Sequence, residues 1–309
     1  MQLHQLRYFA AVADTRHFTR AAEREHVAQP SLSQQIRALE RELGTELFHR
    51  ARGHVALTDA GEALLPLARR ILADADTARR EVQEVARLRR GRVRLGATPS
   101  LCVGLVPRLL RTFHDRYPGV ELHITEGGSQ DLVRGLGVGE LDLALVIDPL
   151  PARGPALTSR ELLREDLVVV SAPSGPPPVA TGRITVPDLR GLPMVMFRHG
   201  YDLRELTLGA CRSAGFEPRL AVEGGEMDAV LALVGAGLGV AVVPRMAADR
   251  SGLRITPFTA PGLHRTVSVA HRGDVSPPRA ARELQRLLHE DGALDGEAGG
   301  QGARAGAVD

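Results

Sequence analysis

The sequence predicts a three-part α/β chain. A small helical head with a β-hairpin comes first, then one long helix, then two lobes of alternating strands and helices. Three observations predict it. Apolar residues recur at helical spacing through Leu43, a near-heptad apolar series follows from Ala60 to Val85, and after Arg92 short β-rich runs alternate with helical ones. At 309 residues the chain is long enough for about two domains. Its 43% hydrophobic and 25% charged content is that of a globular protein.

In the head, Leu3, Leu6, Phe9, Ala10 and Ala13 give an amphipathic first helix. Thr19 is a plausible N-cap for a short second helix through Ala21, Ala22 and Arg24. His26-Val27-Ala28 reads as a tight turn. Pro30 sits in the first turn of a third helix, where its missing N–H costs little, and Gly44 ends that helix. Leu32, Ile36, Leu39 and Leu43 form one stripe of it, and Gln34, Arg37 and Arg41 fall on the opposite face. This is helix-turn-helix geometry. Gln can bond adenine and Arg guanine in bidentate pairs, and Ser can bond a base edge or a phosphate. A solvated surface is the alternative for such a face. The runs Leu47–Arg50 and His54–Leu57 read as two strands turning at Ala51-Arg52-Gly53, a wing with Arg50, Arg52 and His54 at its tip.

Thr58 caps a long helix predicted over Asp59–Arg90. Ala60, Leu64, Leu67, Ile71, Ala75, Ala78, Val82 and Val85 make its seam, spaced for pairing with a second copy or for lying on its own protein. Beyond it, 92–97 and 120–128 read as strands, 103–113 and 130–136 as helices, and 141–147 as a buried strand. A second set follows in 165–173, 193–197, a helix through Leu206 and Cys211, 219–224, Met227–Val234 and 239–244. Such alternation predicts a parallel sheet. Two lobes with crossings near Leu163–Asp166 and Val267–Ala270 would enclose a cleft, a favoured place for small ligands.

Composition excludes several chemistries. All 39 basic residues are Arg, with no Lys and no Asn, so a phosphate-loop lysine and lysine-bound pyridoxal phosphate are ruled out. The sequence contains no GxSxG, HExxH or CxxC. No catalytic residue, metal ligand or cofactor is expected. No apolar run reaches the ~18 residues of a membrane span, and MQLHQLRYFA lacks a signal layout, so a cytoplasmic chain with no membrane partner is expected. GLGVG (135–139) and GAGLG (235–239) follow helices and precede strands, the reverse of a dinucleotide fingerprint, and read as helix-end turns. Cys102 sits near a helix start, which can lower a thiol pKa, but it and Cys211 fall in different lobes.

The chain resembles the LysR-type transcriptional regulators from Leu3 to about Leu288. The resemblance is carried by FTRAAE (Phe18–Glu23), QPSLSQQIRALERELGTELFHR (Gln29–Arg50), LTDAGEALL (Leu57–Leu65), YPGVELHITEG (Tyr117–Gly127), GELDLAL (Gly139–Leu145) and ALVGAGLGVAVVP (Ala232–Pro244). It departs from the family's usual pattern at Ala28, where Ser is usual, and at Glu25, where an apolar residue is usual.

The resemblance implies a winged helix-turn-helix over 1–58, a linker and dimerisation helix over 59–91 and a periplasmic-binding-protein-like effector domain over 92–290. Lobe I of that domain would take about 92–165 and 267–290, and lobe II about 166–266. The last residues, 291–309, lack apolar mass and read as a disordered tail. The implied partners are double-stranded promoter DNA bound at a two-fold site, a small-molecule effector, RNA polymerase and further copies of the chain, as a homodimer or homotetramer. By family position Gln29, Pro30, Ser31, Ser33, Gln34 and Arg37 would read the major groove, with Arg50 and Arg52 on the wing.

For the effector the candidates are Thr98, Ser100 and Ser129 at helix starts, and Phe197, Arg198, Tyr201 and Arg204 from the second lobe. Helix starts suit an anion, and two Arg would favour an acidic effector. Simple capping and ordinary ion pairing are the alternatives.

Overall fold

The first helix, α1 (Leu3–Thr15), buries Leu6, Phe9 and Val12 and ends where Arg16 takes a left-handed conformation. The computed structural model describes residues 1–51, 54–86, 91–150 and 155–291, and gives no side-chain account of 50, 51, 54, 80, 81, 83–86 and 291. Arg52 and Gly53 of the expected wing tip and the expected tail from 292 lie outside the described residues.

Helix α2 (Phe18–Arg24) begins one residue before the predicted cap. His17, not Thr19, is the N-cap, because its extended backbone lets Nδ1 accept from the Thr19 N–H at 3.2 Å. His26 then turns with φ 55°, and α3 (Gln29–Leu43) starts at Ala28, which caps with no side-chain bond. Pro30 is in its first turn and Gly44 closes it at φ 71°.

Leu32, Ile36 and Leu39 are fully buried. Leu43, expected on the same stripe, is 41% exposed, because the chain turns away at Gly44 and leaves nothing to cover it. Strands β1 (Phe48–Ala51) and β2 (His54–Leu57) pair antiparallel. Phe48 closes the head by packing on Phe9 and Phe18, with ring centroids 5.3 and 5.8 Å apart.

Helix α4 (Asp59–Ala86) is capped by Thr58, whose Oγ1 accepts from the Gly61 N–H at 3.1 Å. It runs through Pro66, which the seam pattern does not register. Pro66 faces solvent, so water can meet the carbonyl that the missing N–H leaves open. The predicted seam divides between two jobs. Ala60 and Leu64 pack into the head's core, beside Ala68 and Leu72, which the predicted seam did not include, while Leu67 and Ile71 point outward.

The rest of the chain forms a second unit, beginning with β3 (Gly91–Ala97). The single helix predicted at 103–113 is two, α5 (Pro99–Gly104) and α6 (Val106–Arg116), because Pro107 has no N–H to continue the ladder. There follow β4 (Val120–Glu126), α7 (Ser129–Gly137), β5 (Leu143–Asp148) and the 15-residue β6 (Leu157–Ser171). After a 3-10 turn at Pro187–Gly191 come β7 (Met194–Met196), α8 (Asp202–Ser213), β8 (Leu220–Glu223), α9 (Met227–Gly235) and β9 (Ala241–Pro244). The last elements are α10 (Arg245–Ala248), β10 (Arg254–Pro257), β11 (His264–Arg272) and α11 (Arg279–Asp291).

The sheet is mixed rather than parallel. Among the described residues its order is β10-β6-β11-β5-β3-β4, with β9 also on β6. Only β3 pairs parallel, with β4 and β5. β11 returns after the lobe II elements and lies between β5 and β6, antiparallel to both, and β6 is also antiparallel to β9 and β10. β7 and β8 form a short parallel pair. One core gathers Val93, Leu95, Phe113, Leu145, Val267 and Leu284, and another gathers Val168, Val170, Met194, Phe197, Val230 and Val242. β6 feeds both cores, Leu162 and Leu163 packing on the first and Val168 and Val170 lying in the second, so the two lobes join along it.

Candidate functional site

The head offers one polar face. With Leu32, Ile36 and Leu39 buried, Gln29, Pro30, Ser31, Gln34 and Arg37 are exposed and Ser33 is half-buried. Pro30, Ser33, Gln34, Arg37 and Arg41 line one open groove along α3. The helix beneath is braced at its middle and near its C-terminal end. Gln35 Oε1 meets His4 Nε2 at 3.1 Å and accepts from Gln5 Nε2 at 3.2 Å. Buried Glu40 accepts from the Leu47 N–H at 3.0 Å and so ties the helix end to the wing. A fixed backbone with Gln and Arg projecting from its first three turns can present hydrogen-bond donors and acceptors to base edges.

The second unit holds the other candidates. The carboxyl ends of β3 and β4 lie on the same edge of lobe I, since the strands are parallel and in register from Gly91↔Val120 to Ala97↔Glu126. Ligands of α/β sheets sit outside such edges. Thr98 and Ser100 follow β3 and are buried, and each hydroxyl has no hydrogen-bond partner. Ser129 opens α7 and is fully engaged. Its Oγ accepts from the Ile147 N–H at 3.0 Å and donates to Asp202 Oδ2 at 2.8 Å, and that same carboxylate oxygen accepts from the Ser129 N–H at 3.3 Å. The anion position at the start of α7 is thus taken by a carboxylate of the other lobe. Burial raises the Asp202 pKa, opposed by these bonds.

Lobe II brings Phe197 and Tyr201 together as stacked rings, centroids 4.7 Å apart. The Tyr201 hydroxyl is buried with no partner, and burial pushes its pKa well up. Both arginines that predicted an acidic effector are occupied. Arg198 Nε donates to Glu226 at 2.7 Å. Buried Arg204 donates to the Phe197 carbonyl at 2.8 Å and to Glu223 at 3.0 Å. Arg204 therefore organises the loop after β7, and Arg198 is neutralised where it stands.

Several residues of this region went unread in the sequence: Asp202, Glu126, Glu226, Asp228 and the buried pair Glu165–Arg265. Arg265 donates to Glu165 at 2.9 and 2.7 Å, and Glu165 also accepts from the Met246 N–H at 2.8 Å, so the crossing strands are pinned there. The pKa of Glu126, an exposed residue, is raised by partial desolvation and then by the nearby charges of Glu226 and Asp228. A signal existed: Glu126-Gly127-Gly128 and Glu223-Gly224-Gly225 end β4 and β8 alike, one in each lobe. Gly128 runs against Gly200, where an added Cβ would lie 3.3 Å from the carbonyl.

Cys102 does not gain the lowered pKa its position suggested. Burial, and then Glu126, push it up to about 11. Cys211 lies buried in the other core, also raised by burial. Among the described residues no helix is long and apolar enough to cross a membrane, and no group of three or more candidate ligands could hold a metal.

A DNA-reading head joined to a two-lobed cleft defines a one-component regulator, and comparison with known proteins agrees. The family model for the bacterial regulatory helix-turn-helix protein of the lysR family matches residues 3–62, and that for the LysR substrate binding domain matches 86–293. The chain belongs to the LysR family of transcriptional regulators.

It is 34% identical to the transcriptional dual regulator GltC of Bacillus subtilis over 272 residues, 87% of this chain and 90% of that protein. A full-length OxyR variant from Pseudomonas aeruginosa superposes with a TM-score of 0.73 at 31% identity, over 93% of this chain and 94% of that one. Full-length CbnR in complex with its target DNA superposes with a TM-score of 0.69 at 27% identity, over 94% and 99%.

Proposed function

We propose that this regulator reads a two-fold promoter site through Gln29, Pro30, Ser31, Ser33, Gln34 and Arg37 in the major groove, with Arg50 and Arg52 of the wing on the backbone. The observation that carries the reading is α3 itself. Its apolar side is sealed into the head, its middle and C-terminal end are braced, and Gln34 and Arg37 stand exposed on the opposite side. The DNA complex of CbnR, a similar protein, supports it.

The division of labour follows the sequence: a head over 1–58, a linker helix over 59–91 and an effector domain over 92–290, with lobe II at about 166–266. Leu67 and Ile71, turned outward on α4, supply the contact between copies that a two-fold site requires. The cleft lined by Thr98, Ser100, Ser129, Phe197 and Tyr201 takes a small effector, with Arg198 and Arg204 shaping its wall. A ligand that prefers one arrangement of the lobes shifts the population toward it and so alters the DNA contacts and the access of RNA polymerase. The chain works by binding rather than catalysis, in the cytoplasm, where promoter DNA is.

The test is a footprint of the full-length protein on its own upstream DNA at fixed moderate salt. A protected two-fold site should weaken in Gln34→Ala and Arg37→Ala by about 1–3 kcal/mol per bidentate contact, with selectivity relaxed at the matching bases. Protection that ignores sequence and vanishes with salt would reject the assignment of α3 as the reader.

A further inference from the structure

We propose that the cleft takes an effector bearing a positively charged nitrogen, an ammonium or guanidinium, met by Glu126 and Asp228 at its mouth, while the buried Tyr201 hydroxyl bonds the ligand's polar end. The proposal rests on the reading of this cleft as the effector site and adds the charge of its ligand.

The argument begins with the cations already spent. Arg198 is paired with Glu226, Arg204 with Glu223, and Arg265 with Glu165. The start of α7, which suits an anion, is closed by Asp202 on Ser129, and α5, which opens at Thr98 and Ser100, is only 6 residues long. An incoming carboxylate would have to displace one of these internal carboxylates from a charge-assisted bond and leave it unpaired in turn.

The unspent groups have the opposite character. Glu126 and Asp228 are exposed, and among the described residues neither has a cation within ion-pair distance. They come from opposite lobes, close enough that the charge of Asp228, with that of Glu226, helps to raise the Glu126 pKa. Like charges held together across a gap favour a bound cation between them.

The second observation is independent of that charge. Tyr201 is only 4% exposed, stacked on Phe197, and its hydroxyl has no partner. A buried hydroxyl left unpaired is costly, and a ligand group that bonds it removes that cost. The same hydroxyl lies within electrostatic reach of Arg265, Glu226, Asp202 and Glu126; of these Arg265, Glu226 and Asp202 are already engaged, which puts the unpaired hydroxyl and the unpaired Glu126 in one place. Thr98 and Ser100 add two more buried, unpartnered hydroxyls on the lobe I side.

The experiment is calorimetric titration of the full-length protein with 1,4-diaminobutane and agmatine, and with succinate, which matches the diamine in chain length and reverses its charge. Saturable binding of a cationic probe is expected, weakened about tenfold or more by Glu126→Gln and by Asp228→Asn. Both residues are exposed, so the variants should melt with the parent and keep its footprint. No saturable heat from either cationic probe would overturn the proposal, as would binding that both variants leave unchanged. Saturable succinate binding indifferent to those substitutions would overturn the charge assignment while keeping the cleft as an effector site. If no probe of either charge binds, the effector reading of the cleft falls with it, and the α3 assignment still stands on the footprint.

Discussion

Ser129 and Asp202 join the two lobes of the effector unit through a single carboxylate oxygen. Asp202 Oδ2 accepts both the hydroxyl of Ser129, at 2.8 Å, and its backbone N–H, at 3.3 Å. Because the same hydroxyl accepts from the buried Ile147 N–H, Ser129→Ala should strand a donor and weaken the hold on a carboxylate together. The expected cost is about 1–3 kcal/mol. Calorimetric melting of the full chain would read it, with hydrogen exchange at Ile147 as the local report. An unchanged exchange rate there would refute the role given to Ser129.

Asp202 also sets a pH dependence. Burial holds its pKa in the folded protein above the ordinary value of 3.8, so between those two values the folded state binds more protons than the unfolded one. Stability from this group is therefore fullest below 3.8 and declines as pH rises through the folded pKa. Asp202→Asn keeps an oxygen for Ser129 and removes the titration. The difference in melting temperature between parent and Asn variant should shift in the variant's favour as pH rises across that window. A difference that stays flat with pH would contradict the burial argument.

Two helical glycines should respond with opposite sign. An Ala at Gly61 would drive its Cβ into the Leu47 carbonyl, a backbone atom that cannot rotate away. The helix-propensity gain of up to about 1 kcal/mol is outweighed by overpacking of about 1–3 kcal/mol, which lifts α4 off β1. Gly209, inside α8, has nothing within 4 Å of its would-be Cβ. Gly209→Ala should stabilise by up to about 1 kcal/mol. Thermal melts of both variants would decide, and a stabilised Gly61→Ala would overturn the close-approach account.

What was legible in the sequence follows from where the constraint lies. The stripe on α3 and its caps are local, so Leu32, Ile36, Leu39, Pro30 and Gly44 could be read directly, and Leu43 misled only because nothing packs over it. The first half of β6 could not be read. Thr158, Ser159 and Arg160 are exposed, and only their long-range pairing with β11 makes them a strand. The cleft hydroxyls stood out as helix starts. The neutralisation of the arginines did not, since Glu223 and Glu226 lie 19 and 28 residues from their partners. A charge's availability is a tertiary property, and composition near it is no guide.

The outward residues of α4 carry a prediction about assembly. Leu67 is 55% and Ile71 36% exposed, while Ala68 between them is fully buried in the head's core. If the exposed pair joins two copies, Leu67→Glu with Ile71→Glu should dissociate the oligomer and leave the head's stability within about 0.5 kcal/mol of the parent. Ala68→Glu should instead unfold the head, because it buries a charge with no partner. Sedimentation and melting measured together separate the two cases. An oligomer that survives the double substitution would place the contact elsewhere.

A peroxide-responsive disulfide is one redox role the two cysteines could serve, and the geometry opposes it. Cys102 packs against the lobe I core and its sulfur donates to the Ala97 carbonyl at 3.6 Å, while Cys211 is buried in the lobe II core. With a pKa of about 11, only about one Cys102 thiol in a thousand is ionised at pH 8, and the thiolate is the species that reacts. The cause is burial first and the Glu126 charge second, so Glu126→Gln should raise Cys102 reactivity only modestly. Iodoacetamide labelling of the folded chain should be slow at both thiols until denaturant is added. Cys102→Ser and Cys211→Ser should leave the footprint the same with and without peroxide. Rapid labelling of Cys102 in the native state, or a footprint that peroxide alters in the parent and not in these variants, would restore the redox switch.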